Sequence, residues 1–492
     1  MSLRRTLTVV AVLAGFVASV VVAQRGDGAT SAATTTFGRV PFVTRPYASH
    51  NTPITTTWYC PGVPASDATV GGQFVIANPS DIPIEGRITF LGPDGTAPVT
   101  QAITVPARDR LVLDAESVMT ASFVSSVVEL DGGEGMVEQQ ALFPAGNSVA
   151  SCTTQTSPTW YFADGWTAEA STEQLILSNP YEDTVSVDIA FFTKNGVKRE
   201  PGPFQGASIN PHSVRVIDVA GSGFTDEQII GVQVVASRGR LLVARAEHYT
   251  GGGRLGYSIT LGAPAPSEQL WFVEGDHGPD ITEQYVIFNP TSDDAAVDLV
   301  VLGVPVTDGY VAPDSIPVPA GEVVTFDTST ITGLPDGPHS IVFSTLAAPS
   351  VVIERVLTKP SGSGPVTTVV MGMTPEYVVP RWYLPIGVDG ATDAAIVVYN
   401  PDQQAKTVAL KAVGPGGEVA VPGLDAIDLF AGGIITIPLT DPSVFGKTLV
   451  VEGSGRIFVE RKLPRGNGLA GRSGSWALPE CGPCSLQSPP SS

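Results

Sequence analysis

A Trp-aromatic pair followed by an apolar run that closes on Asn-Pro occurs four times in this chain. The copies read TWYCPG...QFVIANP at 57–79, TWYFADG...QLILSNP at 159–180, LWFVEG...QYVIFNP at 270–290 and RWYLPIG...AIVVYNP at 381–401. Their asparagines, Asn78, Asn179, Asn289 and Asn400, are spaced by 101, 110 and 111 residues. A period of that length is a whole domain, so the chain reads as an array of domains rather than a solenoid or a propeller blade.

Within each copy the period is two. Val185, Val187, Ile189 and Phe191 alternate with Ser186, Asp188 and Ala190, the pattern of a strand with one buried face. Proline cannot donate to a ladder and holds the residue before it extended, so Asn-Pro ends a strand. The polar turns after it (YEDT, TSDD, DQQA) predict a hairpin with the next strand. Seven or eight short strands per copy predict an all-β fold of four tandem immunoglobulin-like β-sandwich domains. The expected boundaries are 57–156, 157–267, 268–378 and 379–478, with a Cys-containing tail at 479–492.

Composition agrees with short strands and many turns: 43% hydrophobic, 15% charged, 53 Gly and 42 Pro in 492 residues. With 27 basic against 48 acidic residues the net charge is −21, which disfavours nucleic acid and anionic bilayers as partners. Arg4 and Arg5 precede an uncharged apolar run from Leu7 to Ala23 that ends in small residues. Residues 1–23 therefore read as an export signal, either cleaved or retained as a membrane anchor. Residues 24–56, rich in Thr, Ala and Ser, read as a flexible linker, and the Arg25-Gly26-Asp27 within it as a chance match to an adhesion tripeptide.

Trp160 to Gly165 (WYFADG), the Asn-Pro pairs, Ile353-Glu354-Arg355 and Val459-Glu460-Arg461 resemble the WYFAEG/NP/VAER repeats of large exported bacterial proteins. The layout resembles an uncharacterised family of exported actinobacterial proteins of unknown function. Repeat 1 departs from the pattern, with Cys60-Pro61-Gly62 in place of the acid-Gly and Gln139 in place of the arginine.

Asp164 and Arg245 are 81 residues apart, as are Glu274 and Arg355. Each arginine lies among apolar residues of a late strand, and a buried cation needs an anion. The shared spacing predicts structural ion pairs Asp164–Arg245 and Glu274–Arg355. In repeat 1, Cys60 and Cys152 bracket the domain and predict a disulfide in an exported protein. Cys481-Gly482-Pro483-Cys484 matches the thioredoxin tetrapeptide but is followed by SLQSPPSS rather than a helix pattern, so a short structural disulfide is expected.

No His-Glu-x-x-His or Gly-x-Ser-x-Gly motif occurs, and five histidines are scattered. No catalytic, cofactor or metal residue is assigned. EGDHGPDITE (274–283) gathers carboxylates near His277 without the spacing of a calcium loop. The loop after WYFADG differs in every copy, which makes Trp166, Glu169 and Tyr181 the candidate binding residues. The expected function is a non-catalytic structural or spacer protein of the cell envelope, secreted or membrane-anchored, which as a simple spacer would form an extended rod. Polysaccharide binding or adhesion is the first alternative, with an envelope glycan or another envelope protein as partner. An enzyme accessory or hydrolase using Glu247, His248 or Glu283 is the second.

Overall fold

In each copy the alternation becomes strands in one fixed order, plainest in repeat 3. Its eight strands are Gln269–His277, Thr282–Phe288, Ala295–Leu302, Ile316–Val318, Val323–Asp327, Gly337–Thr345, Val352–Ser361 and Gly364–Met371. The first, sixth, third and fourth form one sheet; the fifth, second, seventh and eighth form the other. Leu270, Phe272, Val297 and Phe343 from the first sheet meet Tyr285, Ile287 and Ile353 from the second in one core. Repeats 1 and 2 keep this order. In repeat 4 the sixth and seventh strands run together as Leu449–Pro464, which joins its two sheets.

The computed structural model describes residues 46, 48–49 and 55–481, apart from 133, 194–196, 305–310, 346–348, 363, 391 and 467. The expected export segment and Cys484 lie outside the described residues. Among these residues the chain is all-β with short 3-10 turns, and no helix is long and apolar enough to cross a membrane.

Two expectations are corrected by the strand order. An immunoglobulin domain keeps its first two strands in one sheet and its last two in the other. Here the last two strands, the seventh and eighth, do share a sheet, but the first and second lie in different sheets. Nor is the Asn-Pro corner a hairpin, because the strands on either side of it belong to opposite sheets. The asparagine holds this arch: Asn179 Nδ2 donates to the carbonyls of Asp183, Ile209 and Asn210 at 2.8–3.1 Å. Its Oδ1 accepts from the Tyr181 amide at 3.0 Å, and Asn78, Asn289 and Asn400 are bonded in the same manner. Period two fixes which face each residue occupies; it does not fix which distant strand pairs with which.

The repeats are not beads on a string. The repeat 2 core runs on into Val286, Phe288 and Val369 of repeat 3, and the repeat 4 core includes Trp271, Val273 and Val370 of repeat 3. Tyr383, Val413 and Leu478 of repeat 4 pack into the core of repeat 1. Repeats 1 and 2 meet through an apolar cluster that includes Phe123, Ala141, Ile176 and Ala244. The four eighth strands, Ser148–Ser151, Gly256–Leu261, Gly364–Met371 and Arg472–Trp476, lie against one another in cyclic order around an apolar cavity of about 70 Å³ lined from all four repeats. Repeat 4 thereby touches repeat 1 and the array closes into a ring, not the extended rod expected of a simple spacer. Ala48–Ser49 completes the closure by pairing in parallel with the Leu478–Cys481 strand.

Candidate functional site

Neighbouring residues on a strand face opposite ways, so in Glu354-Arg355 and Glu460-Arg461 the arginine and the glutamate look in different directions. Arg245 makes two bonds to Glu354 of the next repeat, at 3.0 and 2.9 Å. Glu354 Oε2 also accepts the amides of Ala163 and Asp164, both at 2.8 Å. Arg355 grips Glu460 at 3.2 and 2.5 Å, and Glu460 accepts the amides of Val273 and Glu274. Arg461 of the last repeat grips Glu138 of the first at 3.0 and 2.5 Å, with the Ile386 amide on the same carboxylate. All six side chains are 0% exposed.

The arrangement is a staple used three times, in which a carboxylate from one repeat closes on a forked guanidinium and a strand corner of the preceding one. At the fourth junction the corresponding residues are Gln139 and Ala244. Gln139 Oε1 accepts the Gly62 amide at 3.1 Å, so a neutral amide takes the place of the ion pair. Glu138, Glu354 and Glu460 escaped the sequence reading, although the alternation of Glu with Arg was its available signal.

Of the two predicted pairs one is replaced and one is kept. Asp164 does not pair with Arg245; it pairs with Arg254 at 3.0 Å, because Glu354 already occupies the Arg245 fork. Glu274 does pair with Arg355 as predicted, at 3.6 Å, and shares its carboxylate with the closer Lys462 and Lys359, at 3.0 and 3.3 Å. Burial alone would raise Glu274, yet Lys462, Lys359 and Arg355 bring it down to about 2.

Repeat 2 holds a different buried pair. Glu173 and Glu247 stand directly opposite each other on adjacent strands, and both are at most 1% exposed. Burial, then the facing Glu247, push Glu173 well above the usual carboxylate range. Burial raises Glu247 to about 8 against the pull of Arg245, and Tyr249 donates to it at 2.6 Å. Two buried acids that face each other relieve their repulsion by keeping protons. In repeat 3, Glu283 instead meets His339 at 2.8 Å and accepts from Tyr285 at 2.7 Å. The His339 pKa is raised: burial opposes its charge and Glu283 outweighs that.

The residues named for a hydrolase do not converge. Glu247 points inward to Tyr249, and His248, half-buried on the other face, lies edge-on to Phe143 of repeat 1 at 5.0 Å. Three of the EGDHGPDITE carboxylates are taken up by protein cations: Glu274 and Asp276 share Lys359, and Glu283 meets His339. His277 lies 3.2 Å from Asp336.

The candidate binding loop is also dispersed. Trp166 is buried beneath Arg254, whose guanidinium lies 4.1 Å from the ring centre. Glu169 is exposed in a left-handed conformation. Tyr181 is 37% exposed, bonds Thr156 at 2.6 Å and lies beyond the far end of Thr172–Asn179. A strand of that length separates it from Trp166 by roughly 25 Å, so the two rings do not form one stacking platform. Cys60 and Cys152 form a disulfide between the first strand of repeat 1 and the segment after its eighth. The Cys481–Cys484 pairing lies outside the described residues.

Repeated sheets whose buried charges tie one copy to the next define an all-β repeat protein with its polar interior at the junctions. The chain belongs to the family of unknown function DUF5719, which matches residues 144–254 and 259–444, more than half of its length. No curated protein matches it. A crystal structure of Thermotoga maritima 1070 is similar over 22% of this chain and 94% of that one, at 16% identity and a TM-score of 0.19, too slight a likeness to argue from.

Proposed function

We propose that this chain is a non-catalytic, exported scaffold protein of the cell envelope, in which four β-sandwich domains act as one rigid ring. The observation that carries this reading is the set of three fully buried carboxylate–arginine staples, of which Glu138–Arg461 joins the last repeat to the first. Rigid closure suits a platform or collar better than a flexible tether. The export reading draws support from Arg4, Arg5 and the apolar run after them, and from the Cys60–Cys152 disulfide, a bond that persists in oxidising compartments. The non-catalytic reading draws support from the partners of Glu247, Glu283 and His339, each of which faces a protein group in the interior. Burial of Trp166 weakens the polysaccharide-binding alternative.

Protease accessibility on intact cells tests location, with digestion from outside expected. Passing the purified chain over isolated envelope glycans tests the scaffold reading, with no retention expected; saturable retention would replace it with the binding alternative. Small-angle scattering should return a compact particle, and an extended rod would remove the ring from the argument.

A further inference from the structure

The space beside the first-strand acid is built differently in repeats 2 and 3. Strand pairing aligns the two: Arg245 stands opposite Thr260 and Arg355 opposite Val370. In repeat 2, Arg254 covers Asp164 and stacks on Trp166, so a guanidinium and an indole occupy that space. In repeat 3 the aligned positions are Gly364 and Asp276. There a cavity of about 380 Å³ lies between repeats 3 and 4, within the range of small-molecule sites.

The cavity has two walls. Glu274, Lys359 and Thr368 form the repeat 3 side; Asp393 and Arg472 form the repeat 4 side. Gly471 and Gly474 bring backbone to its surface. On the first wall the charges are already matched, since Lys359 bonds Glu274 and Asp276, and Lys462 bonds Glu274. The second wall is different. Arg472 Nε lies 3.1 Å from Asp393 Oδ2, which leaves the two terminal guanidinium nitrogens without a protein partner among the described residues. A free fork of donors beside a half-exposed carboxylate is the complement of a molecule carrying both a carboxylate and an ammonium. Among the described residues no aromatic ring lines the cavity, so a stacked sugar finds no platform in them.

We propose that the cavity between repeats 3 and 4 binds a small zwitterion of the amino-acid class, its carboxylate on Arg472 and its ammonium on Asp393. Arg472 and Asp393 balance each other, so a zwitterion gives each a further partner and adds no net charge, whereas a carboxylate or an amine alone adds an unbalanced one.

Calorimetric titration of the purified full chain with glycine, L-alanine, D-alanine, acetate and methylammonium tests this. At least one amino acid should bind saturably, with acetate and methylammonium at least about tenfold weaker. Arg472→Gln should weaken the amino acid about tenfold or more, and Asp276→Trp, which puts an indole where repeat 2 has one, should abolish binding. Circular dichroism and melting of both variants show that the fold persists; Arg472→Gln, on the cavity rim, serves if Asp276→Trp does not fold. Three results would overturn the proposal: no saturable amino-acid binding, acetate binding as tightly as the amino acids, or affinity unchanged in a folded variant.

Discussion

At Glu138 and Arg461 two residues 323 positions apart carry the closure of the whole chain. Removing one member of a buried pair leaves its partner charged and unmatched, which costs about 3–5 kcal/mol. Glu138→Ala should therefore lower stability in denaturant by that amount. Replacing Arg355 and Glu460 together with Met and Leu should cost far less than either single change, because no charge is stranded. A double variant that loses as much as the two single variants added together, measured by a double-mutant cycle, would mean that the pair is not coupled. The arginines were legible in the sequence as buried cations; their partners were not. An equal spacing of 81 residues pointed inside each repeat; that holds for Glu274, 3.6 Å from Arg355, and fails for Asp164, while the carboxylate that fills each arginine's fork comes from the next copy. No local pattern states that neighbouring copies touch, and only the glutamates beside Arg355 and Arg461, on the opposite strand face, hinted at it.

Among the elements, the Asn-Pro arch and the first strand of repeat 1 show how little of pairing is local. The Asn-Pro corner was visible as a strand end, but the side chain that makes it an arch reaches across a turn about 30 residues away. Asn289→Ala would leave the carbonyls of Asp293, Val318 and Pro319 short of a donor in a buried site, at about 2–4 kcal/mol. Asn289→Asp should be no better, since it removes the donor and keeps the acceptor; thermal melts of the two variants check this. The disulfide was easier to read because oxidation chemistry and position in the repeat suffice to predict it. Cys60→Ser with Cys152→Ser frees a loop of 92 residues, and the chain-entropy model assigns that about 4–5 kcal/mol. Because repeat 1 holds no internal staple arginine, hydrogen exchange should rise first in its strands; uniform exchange across all repeats would show that the ring shares the load.

Over the whole molecule, the buried acids give stability a dependence on pH with a summit in mildly acid solution. Glu274 titrates at about 2 in the fold against an ordinary value of 4.5. As pH falls from 4.5 towards 2 the unfolded chain takes up this proton first, so stability is lost on the acid side. Glu247 behaves oppositely: the unfolded chain releases its proton near 4.5, while the fold holds it to about 8. Between those values the fold binds more protons than the unfolded chain, so stability falls as pH rises. Glu173, pushed up by burial and by Glu247, acts in the same direction. So does His339, whose raised pKa yields a contribution lost as pH climbs past 6.5 and through its folded value. Melting temperature should therefore peak near the ordinary carboxylate value and decline towards pH 8, with each unmatched proton contributing at most about 1.4 kcal/mol per pH unit. Glu247→Gln still accepts a hydrogen bond from Tyr249 but cannot titrate. Its decline above pH 5 should be shallower than in the parent chain, while the acid limb, set by Glu274 in another repeat, stays where it was. A parent profile that is flat from pH 5 to 8, or an unchanged slope in the variant, would locate the proton elsewhere than between Glu173 and Glu247.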